Sequence, residues 1–229
     1  MKPLAIIPAR SGSKGLKDKN IKLMAGKPLI AYSIQAALDS GVFDEVMVST
    51  DSEHYADIAR EWGGSVPFLR SEANSTDHAS SWDMVKEVLE RYRRLGKEYD
   101  SFCLLQPTSP LRIAQDISNA YGLFQNAETA VISVCEADHP PVWFHELPED
   151  HSLDGFVRRE DDKQRQEVGT YYRVNGAIYF IRTEELYRDE FLYRKGSFAY
   201  IMPRSRSIDI DTETDFIIAE AILKSQQNS

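Results

Sequence analysis

The sequence is poor in the features that mark several large functional classes. It holds two cysteines in 229 residues, Cys103 and Cys135, each inside an apolar run ("SFCLLQ", "VISVCE") and neither at a metal-ligand spacing. That excludes a disulfide scaffold and predicts two reduced, buried thiols. No stretch reaches eighteen apolar residues, so no helix is expected to span a membrane. The first residues lack the basic, apolar and small-residue pattern of a signal peptide, which leads to the expectation of a cytoplasmic protein. Positive charge is in deficit: the formal net charge is -9, which argues against a nucleic-acid partner yet leaves room for a small anion in one cationic pocket. His54, His78, His139, His145 and His151 share no ligand spacing, so zinc is not indicated. The strings G-x-x-x-x-G-K-[ST], G-x-G-x-x-G and G-x-S-x-G do not occur, which removes the P-loop, the dinucleotide fingerprint and the nucleophile elbow.

What is present reads as one α/β core with an appendage. "LAIIPA" is a short apolar run that predicts a buried strand. "PLIAYSIQAALDSG" predicts a helix with Pro28 in its first turn, Leu29, Tyr32, Ile34, Ala36 and Leu38 facing inward, and Gly41 as its C-terminal cap. A strand over 45–49 and a helix capped by Asp51 or Ser52 follow, so the order strand, helix, strand, helix predicts a parallel sheet covered by helices. "VPFLR" reads as a further short strand, "YDSFCLLQ" as a strand buried on both faces, and "SIDIDTETDFIIAEAILKSQ" as a strand running into a terminal helix capped by Thr212 and Asp215. Between His139 and Tyr172 the rhythm breaks into prolines, aromatics and the charged run "RREDDKQRQE". The expected organisation is therefore a core over 1–138, an inserted arm or small subdomain over 139–172, and a return to the core over 173–229.

Two stretches carry chemistry. "ARSGSKGLKDKN" follows the first strand and combines Gly12 and Gly15 with Arg10, Lys14, Lys17 and Lys19. Glycines let ligand oxygens approach the backbone, successive amides form an anion cradle, and the cations supply charge, so this loop is a candidate phosphate site at the carboxyl end of a strand. The alternative is a solvated basic turn. Near the other end, "IDID" places Asp209 and Asp211 two apart. On a strand they would share a face, with Ile208 and Ile210 buried opposite, and two carboxylates on one face suit Mg²⁺ completed by water and phosphate. The alternative there is a solvated acidic edge. Trp62, Trp82 and Trp143 have core or arm packing as their default.

Four blocks in order resemble one family. "PARSGSKGLKDKN" resembles the nucleotide-binding signature of the CMP-N-acylneuraminate cytidylyltransferases, and "LLQPTSPLR", "RVNGAIYF" and "SIDIDTETD" are similar to its second, third and fourth blocks. The resemblance implies a three-layer, mostly parallel sheet of nucleotidyltransferase type with a small inserted dimerisation arm. It implies transfer of CMP from CTP to the anomeric hydroxyl of a nine-carbon 2-keto sugar acid, release of pyrophosphate, a need for Mg²⁺, and a homodimer with arm exchange. By motif position it assigns Arg10, Ser13, Lys14, Lys19 and Asn20 to the triphosphate and ribose, and Arg70 and Ser80 to the cytidine and phosphate side. Gln106 falls between base and sugar acid, Arg165, Arg173 and Asn175 on sugar-acid contacts, and Asp209 and Asp211 on the metal pair. Arg10, Lys19, Asp209 and Asp211 are the candidate catalytic set. Asn175 also has a turn role open to it before Gly176, and Arg165 and Arg173 a role as ordinary surface charge. Where relatives often carry two phenylalanines contributed across the dimer, this chain has Leu192 and Tyr193, which points towards a relative of sialic acid such as legionaminic or pseudaminic acid. The rival readings are a cytidylyltransferase for 3-deoxy-manno-octulosonate, a transferase for another nucleotide, and a non-catalytic nucleotide-binding protein.

Overall fold

Five short apolar runs that all point one way, and one that points back, make the centre of this protein. The structure is a computed structural model and describes residues 2–12, 15–76, 79–161 and 167–227. Strands β1 (Leu4–Pro8), β4 (Glu45–Ser49), β5 (Ser101–Leu104), β6 (Ala130–Glu136) and β8 (Ser197–Ile201) run parallel, and β7 (Tyr172–Arg182) runs against them, in the order β4-β1-β5-β7-β6-β8. A two-stranded hairpin, β2 (Leu23–Met24) with β3 (Lys27–Pro28), stands apart. The chain leaves β1 for β4 on one side and later enters β5 on the other. That reversal opens a gap beyond the strand ends, where open sheets hold ligands.

Helices cover both faces. α1 (Leu29–Ser40), α2 (Glu53–Glu61) and α4 (Ala114–Phe124) pack on the face that carries Ala5, Ile7 and Phe180. α3 (Ser81–Arg94) and α5 (Thr183–Arg188) pack on the face that carries Leu4, Ile6 and Phe102. β1 thus buries both of its faces, which is why "LAII" is apolar without alternation. α3 shows how composition is overridden by pattern: it is polar on average, yet Met84, Val85, Val88, Leu89 and Tyr92 form one buried stripe. Each such side chain contributes about 1.5–3 kcal/mol on burial, enough to dock the helix. The last helix, α6 (Glu213–Gln227), seats Phe216 and Ala219 against Leu16, Met24 and Ile210, and so ties the chain end to the segment after β1.

Local signals hold in detail at several ends. Ser52, of the two candidates, caps α2 by accepting from the Tyr55 amide, and Gly41 closes α1 at φ 63°. Thr212 and Asp215 form a reciprocal cap on α6: the Thr212 amide donates to Asp215 Oδ2 (2.8 Å) and the Asp215 amide to Thr212 Oγ1 (3.3 Å).

Four expectations are corrected. Val66–Arg70 is not a strand; only Ser65 bridges to Met47, and Pro67 has no amide with which to continue a ladder. Ile208–Asp211 is not a strand either; it is an irregular segment whose Ile210 amide donates to the Thr108 carbonyl (2.8 Å). Leu38 faces solvent on α1, 45% exposed, because Ala36 and Ala37 take the inward positions of that last turn. Pro28 precedes α1 as its N-terminal boundary rather than sitting within its first turn.

After β6 the chain makes a 3-10 turn, Pro141–Trp143, and among the described residues there is no α-helix and no strand until β7 opens at Tyr172. A register shift between Ile132 and Val134 lets the two strands continue as a stem, pairing Cys135 with Arg173 and Glu136 with Tyr172. The side chains of Phe144, Leu147 and Leu153 in this segment are exposed. Both cysteines are buried thiols. Among the described residues, no helix is long and apolar enough to cross a membrane.

Candidate active site

At the carboxyl ends of β1 and β5 lies a crevice of about 640 Å³. The loop after β1 forms one wall with Arg10, Gly15, Lys19 and Asn20. The described residues of that loop are held from behind. The Asn20 side-chain amide donates to the Arg10 carbonyl (3.0 Å). Ser11 donates its amide and its hydroxyl to the two oxygens of Asp51 (2.7 Å each). Tyr55 donates its hydroxyl to Asp18 (3.0 Å), which sits in the left-handed region at φ 51°.

The acidic doublet reaches the same loop. Lys19 Nζ donates to the Ile210 carbonyl (2.6 Å) and meets Asp211 Oδ1 at 3.3 Å. A Cβ placed on Gly15 would stand 2.8 Å from the Asp211 carbonyl oxygen, closer than a carbon can approach, so glycine is required for this contact. Asp209 and Asp211 both line the crevice although no strand aligns them. Burial raises the Asp209 pKa, and the charge of Asp211 pushes the same way; a hydrogen bond from Thr108 and the charges of Lys19 and Arg173 oppose this. Asp209 Oδ1 is buried without a hydrogen-bond partner among the described residues. Such an oxygen is costly unless a ligand or cation takes it up. Two carboxylates of this kind fit Mg²⁺, which keeps water and phosphate among its ligands and needs few from protein. No group of three or more acidic, histidine or cysteine side chains gathers elsewhere among the described residues.

The opposite wall is built by Arg70, the 71–76 loop and the start of α3. Arg70 donates through Nε to Ser49 Oγ (3.0 Å) and through Nη2 to the Ser49 carbonyl (2.5 Å). Burial pushes its pKa down to about 10; Asp51 and Glu87 resist that, and the charge of Arg10 adds to it. Two arginines that repel one another across a cleft are stabilised by an anion between them. Glu87 holds the 71–76 loop by accepting from Ser71 and from Asn74. Ser80 caps α3, and its helix N-terminus, with Ser81, opens on the crevice and favours negative charge there.

The floor is the turn after β5. Gln106 lies against Gly176 of β7: at φ 74°, a Cβ on that glycine would stand 2.5 Å from Gln106 Oε1 and 3.5 Å from Asp209 Oδ2. Arg112, fully buried, fastens this turn to β7 by donating to the Gln106 carbonyl (3.3 Å), the Ala177 carbonyl (2.8 Å) and Ser33 Oγ (2.5 Å). Beyond Gln106 a second cavity of about 420 Å³ shares Ser80 and Ser81 with the first. Leu104, Ile132 and Leu192 form its buried floor, and Trp82 and Tyr179, ring edge to ring face, one of its sides. Burial, with the nearby Tyr193 and Asp209, raises the Tyr179 pKa to about 12.

Of the residues singled out in the sequence, the fold gathers Arg10, Lys19, Asn20, Arg70, Ser80, Gln106, Asp209 and Asp211 around one crevice. Arg173 is exposed at the base of the stem, donates to the Ser207 carbonyl (3.2 Å) and acts electrostatically on Asp209. Asn175 is 1% exposed, and its side chain accepts from Ser133 Oγ (2.6 Å) and donates to Ser207 Oγ (2.9 Å), which braces β7 just before Gly176. Ser13, Lys14 and Arg165 lie outside the described residues. Sequence reasoning missed Asn74, Thr76, Thr108 and Gly176, and gave Trp82 a packing role alone. The Asn175–Gly176 pair was the one available signal, since a glycine within a strand marks close approach of another group. Leu192 and Tyr193 line the second cavity of their own chain.

Known proteins match this architecture. An N-acylneuraminate cytidylyltransferase from Escherichia coli is 40% identical over 223 residues, covering 96% of this chain but 52% of its own, so the chain spans about half the length of that relative. A CMP-N,N'-diacetyllegionaminic acid synthase from Legionella pneumophila is 36% identical over 230 residues and is covered to 99%. A solved structure of a CMP:2-keto-3-deoxy-manno-octonic acid synthetase complexed with CTP superposes with a TM-score of 0.73 at 18% identity, covering 99% of this chain and 100% of that one, and thereby shows the fold. The cytidylyltransferase family description matches residues 4–228, nearly the whole chain, and with the sheet order, the crevice and these relatives in agreement, the protein belongs to the cytidylyltransferase family.

Proposed function

We propose that this protein transfers CMP from CTP to the anomeric hydroxyl of a nine-carbon 2-keto sugar acid and releases pyrophosphate. The observation that carries this reading is the convergence of two stretches 192 residues apart: Lys19 of the cationic loop and Asp211 of the acidic doublet are in contact across one crevice. In this reading Arg10, Lys19 and the α3 N-terminus hold the triphosphate, Arg70 and Ser80 lie on the nucleotide side, and Gln106 separates nucleotide from sugar acid. Ser13 and Lys14 extend the loop, and Arg165 and Arg173 are assigned to the sugar carboxylate by the family motif. The second cavity receives the distal part of the acid, with its acyl group towards the apolar floor.

The anomeric oxygen forms a bond to the α-phosphorus as the bond from that phosphorus to the bridging oxygen breaks and pyrophosphate departs. Arg10 and Lys19 offset charge on the leaving group, and fixed cations of this kind stabilise a transition state because they need no reorganisation. Asp209 and Asp211 would hold Mg²⁺, and the partnerless Asp209 Oδ1 supports that assignment. Once bound, the ion neutralises phosphate charge and acidifies the hydroxyl it contacts. Asp209 is the candidate acceptor of the hydroxyl proton. N-acetylneuraminic, legionaminic and pseudaminic acids are the candidate substrates. The homodimer with arm exchange and the cytoplasmic location belong to the same reading.

The test is Asp211→Ala. Its side chain is 77% exposed, so melting is expected to be unchanged while CTP-dependent pyrophosphate release with a panel of nine-carbon and eight-carbon acids disappears. Turnover near the unmodified level would defeat the assignment.

A further inference from the structure

We infer that Asp51 is a positioning residue for nucleotide binding, holding the cationic loop in its ligand-ready form through Ser11. The inference rests on the CTP reading above. A carboxylate beside a triphosphate site is at first sight unfavourable, because it repels the ligand. Asp51 avoids this by its placement. It does not line the crevice, and each of its oxygens is taken by Ser11: Oδ1 by the amide and Oδ2 by the hydroxyl, both at 2.7 Å. These bonds hold its carboxyl below the usual range although burial, the largest influence, acts the other way.

What the pairing achieves is geometric. Gly12, immediately after Ser11, turns the chain at φ 71°, and Asp18 makes a second left-handed turn held by Tyr55. Both anchors, Asp51 and Tyr55, come from the junction of β4 and α2, so one rigid corner of the fold grips both ends of the glycine-rich segment. The same corner holds the far wall, since Ser49 receives Arg70 and the Thr50 carbonyl accepts from the Arg70 amide (2.7 Å). Arg10, next to Ser11, and Arg70 are therefore set at a fixed separation by three consecutive residues, Ser49, Thr50 and Asp51. Loop ends held in place before the ligand arrives lower the ordering cost of binding it.

The experiment is calorimetric titration of the full chain with CTP and Mg²⁺, paired with steady-state kinetics. In Asp51→Ala both acceptors for Ser11 are removed, whereas Asn would keep both contacts by accepting from the amide and donating to the hydroxyl, and losing charged hydrogen bonds of this type weakens binding roughly 10–100-fold. The expected result is a CTP Kd raised by that factor, with kcat at saturating CTP within about threefold and the sugar-acid KM within about twofold, because loop order acts on binding more than on the bound complex. A merely structural role would lower melting and leave that split absent. Ser11→Ala keeps the amide donor and loses the hydroxyl, so its CTP Kd is expected to rise about 3–10-fold; it decides the matter if Asp51→Ala does not fold. An unchanged CTP Kd in whichever variant folds overturns the inference. Absence of CTP binding by the unsubstituted chain overturns the nucleotide reading and this inference together.

Discussion

Gly176→Ala separates stability from activity at the floor of the crevice, because the added methyl meets two different obstacles. The first is its own backbone. At φ 74° an L-residue suffers a clash that glycine does not, at a cost of about 1–2 kcal/mol. The second is Gln106, whose Oε1 would stand 2.5 Å from the new carbon, against an ordinary contact above about 3.3 Å. Gln106 Oε1 is the free end of a flexible side chain, so the carboxamide gives way by nearly an ångström and little folding energy is lost there. The stability change is then the backbone cost alone. At roughly 2–4 °C per kcal/mol for a chain of this size, melting falls by about 2–8 °C. Activity is affected differently. Displacing a positioning group by about 1 Å costs about 100-fold in turnover. Thermal melting and pyrophosphate release on the same preparation read both quantities. Gly96→Ala, at a position that does not line the crevice, is the internal control, since φ is similar at 79° but among the described residues nothing lies within 4 Å of the added carbon, so it carries the backbone cost without the displacement of Gln106. If Gly176→Ala retains kcat/KM within about threefold while its melting point falls as expected, the placement of Gln106 does not matter to the reaction and the reasoning fails.

Three further outcomes are expected. Asn175→Ala removes the buried bonds to Ser133 and Ser207, while Ser133 keeps Ile178 and Ser207 keeps the Pro203 carbonyl, so at about 0.5–1.5 kcal/mol each it should lower melting and reduce activity without a selective rise in sugar-acid KM; such a selective rise would make Asn175 a ligand contact. Glu45 is held below the ordinary glutamate range: burial raises its pKa, but hydrogen bonds from Lys97, Ser65 and Tyr92 outweigh it. A depressed carboxylate contributes stability above its unfolded value near 4.3 and loses it as pH falls through the folded value. Glu45→Gln should therefore destabilise at pH 7 and converge on the unsubstituted chain in acid, as pH-dependent melting would show; a constant difference across pH would count against it. Chelation of divalent ions should abolish pyrophosphate release, and Mg²⁺ should restore it, while full activity in excess chelator would remove the metal from the Asp209–Asp211 assignment.

Helix ends and buried strands were legible in the sequence because they depend on neighbours along the chain. The apolar run "LAII" is a strand buried on both faces, Gly41 and Ser52 cap where local rules place them, and Thr212 and Asp215 close on each other. The composition of the loop was legible for the same reason, since its glycines and cations lie close together in the chain. Expectations failed where a distant partner decided the outcome. Ile208–Asp211 has an alternating pattern fit for a strand, yet its backbone bonds to Thr108, so its two carboxylates share a crevice without sharing a ladder.

The sequence by itself therefore determined the α/β alternation, the cationic turn after the first strand and the presence of a carboxylate pair, since each is written in adjacent residues whose propensities and charges act locally. Tertiary structure decided where these pieces meet. Asn175 turned inward because Ser133 and Ser207 offered it partners, and Gly176 was needed because Gln106 occupies the space of a side chain. Lys19 reached Asp211 because α6 and the hairpin pack together on Met24 and Phe216. Contacts across 192 residues depend on how sheet and helices pack, and no short-range pattern encodes that distance.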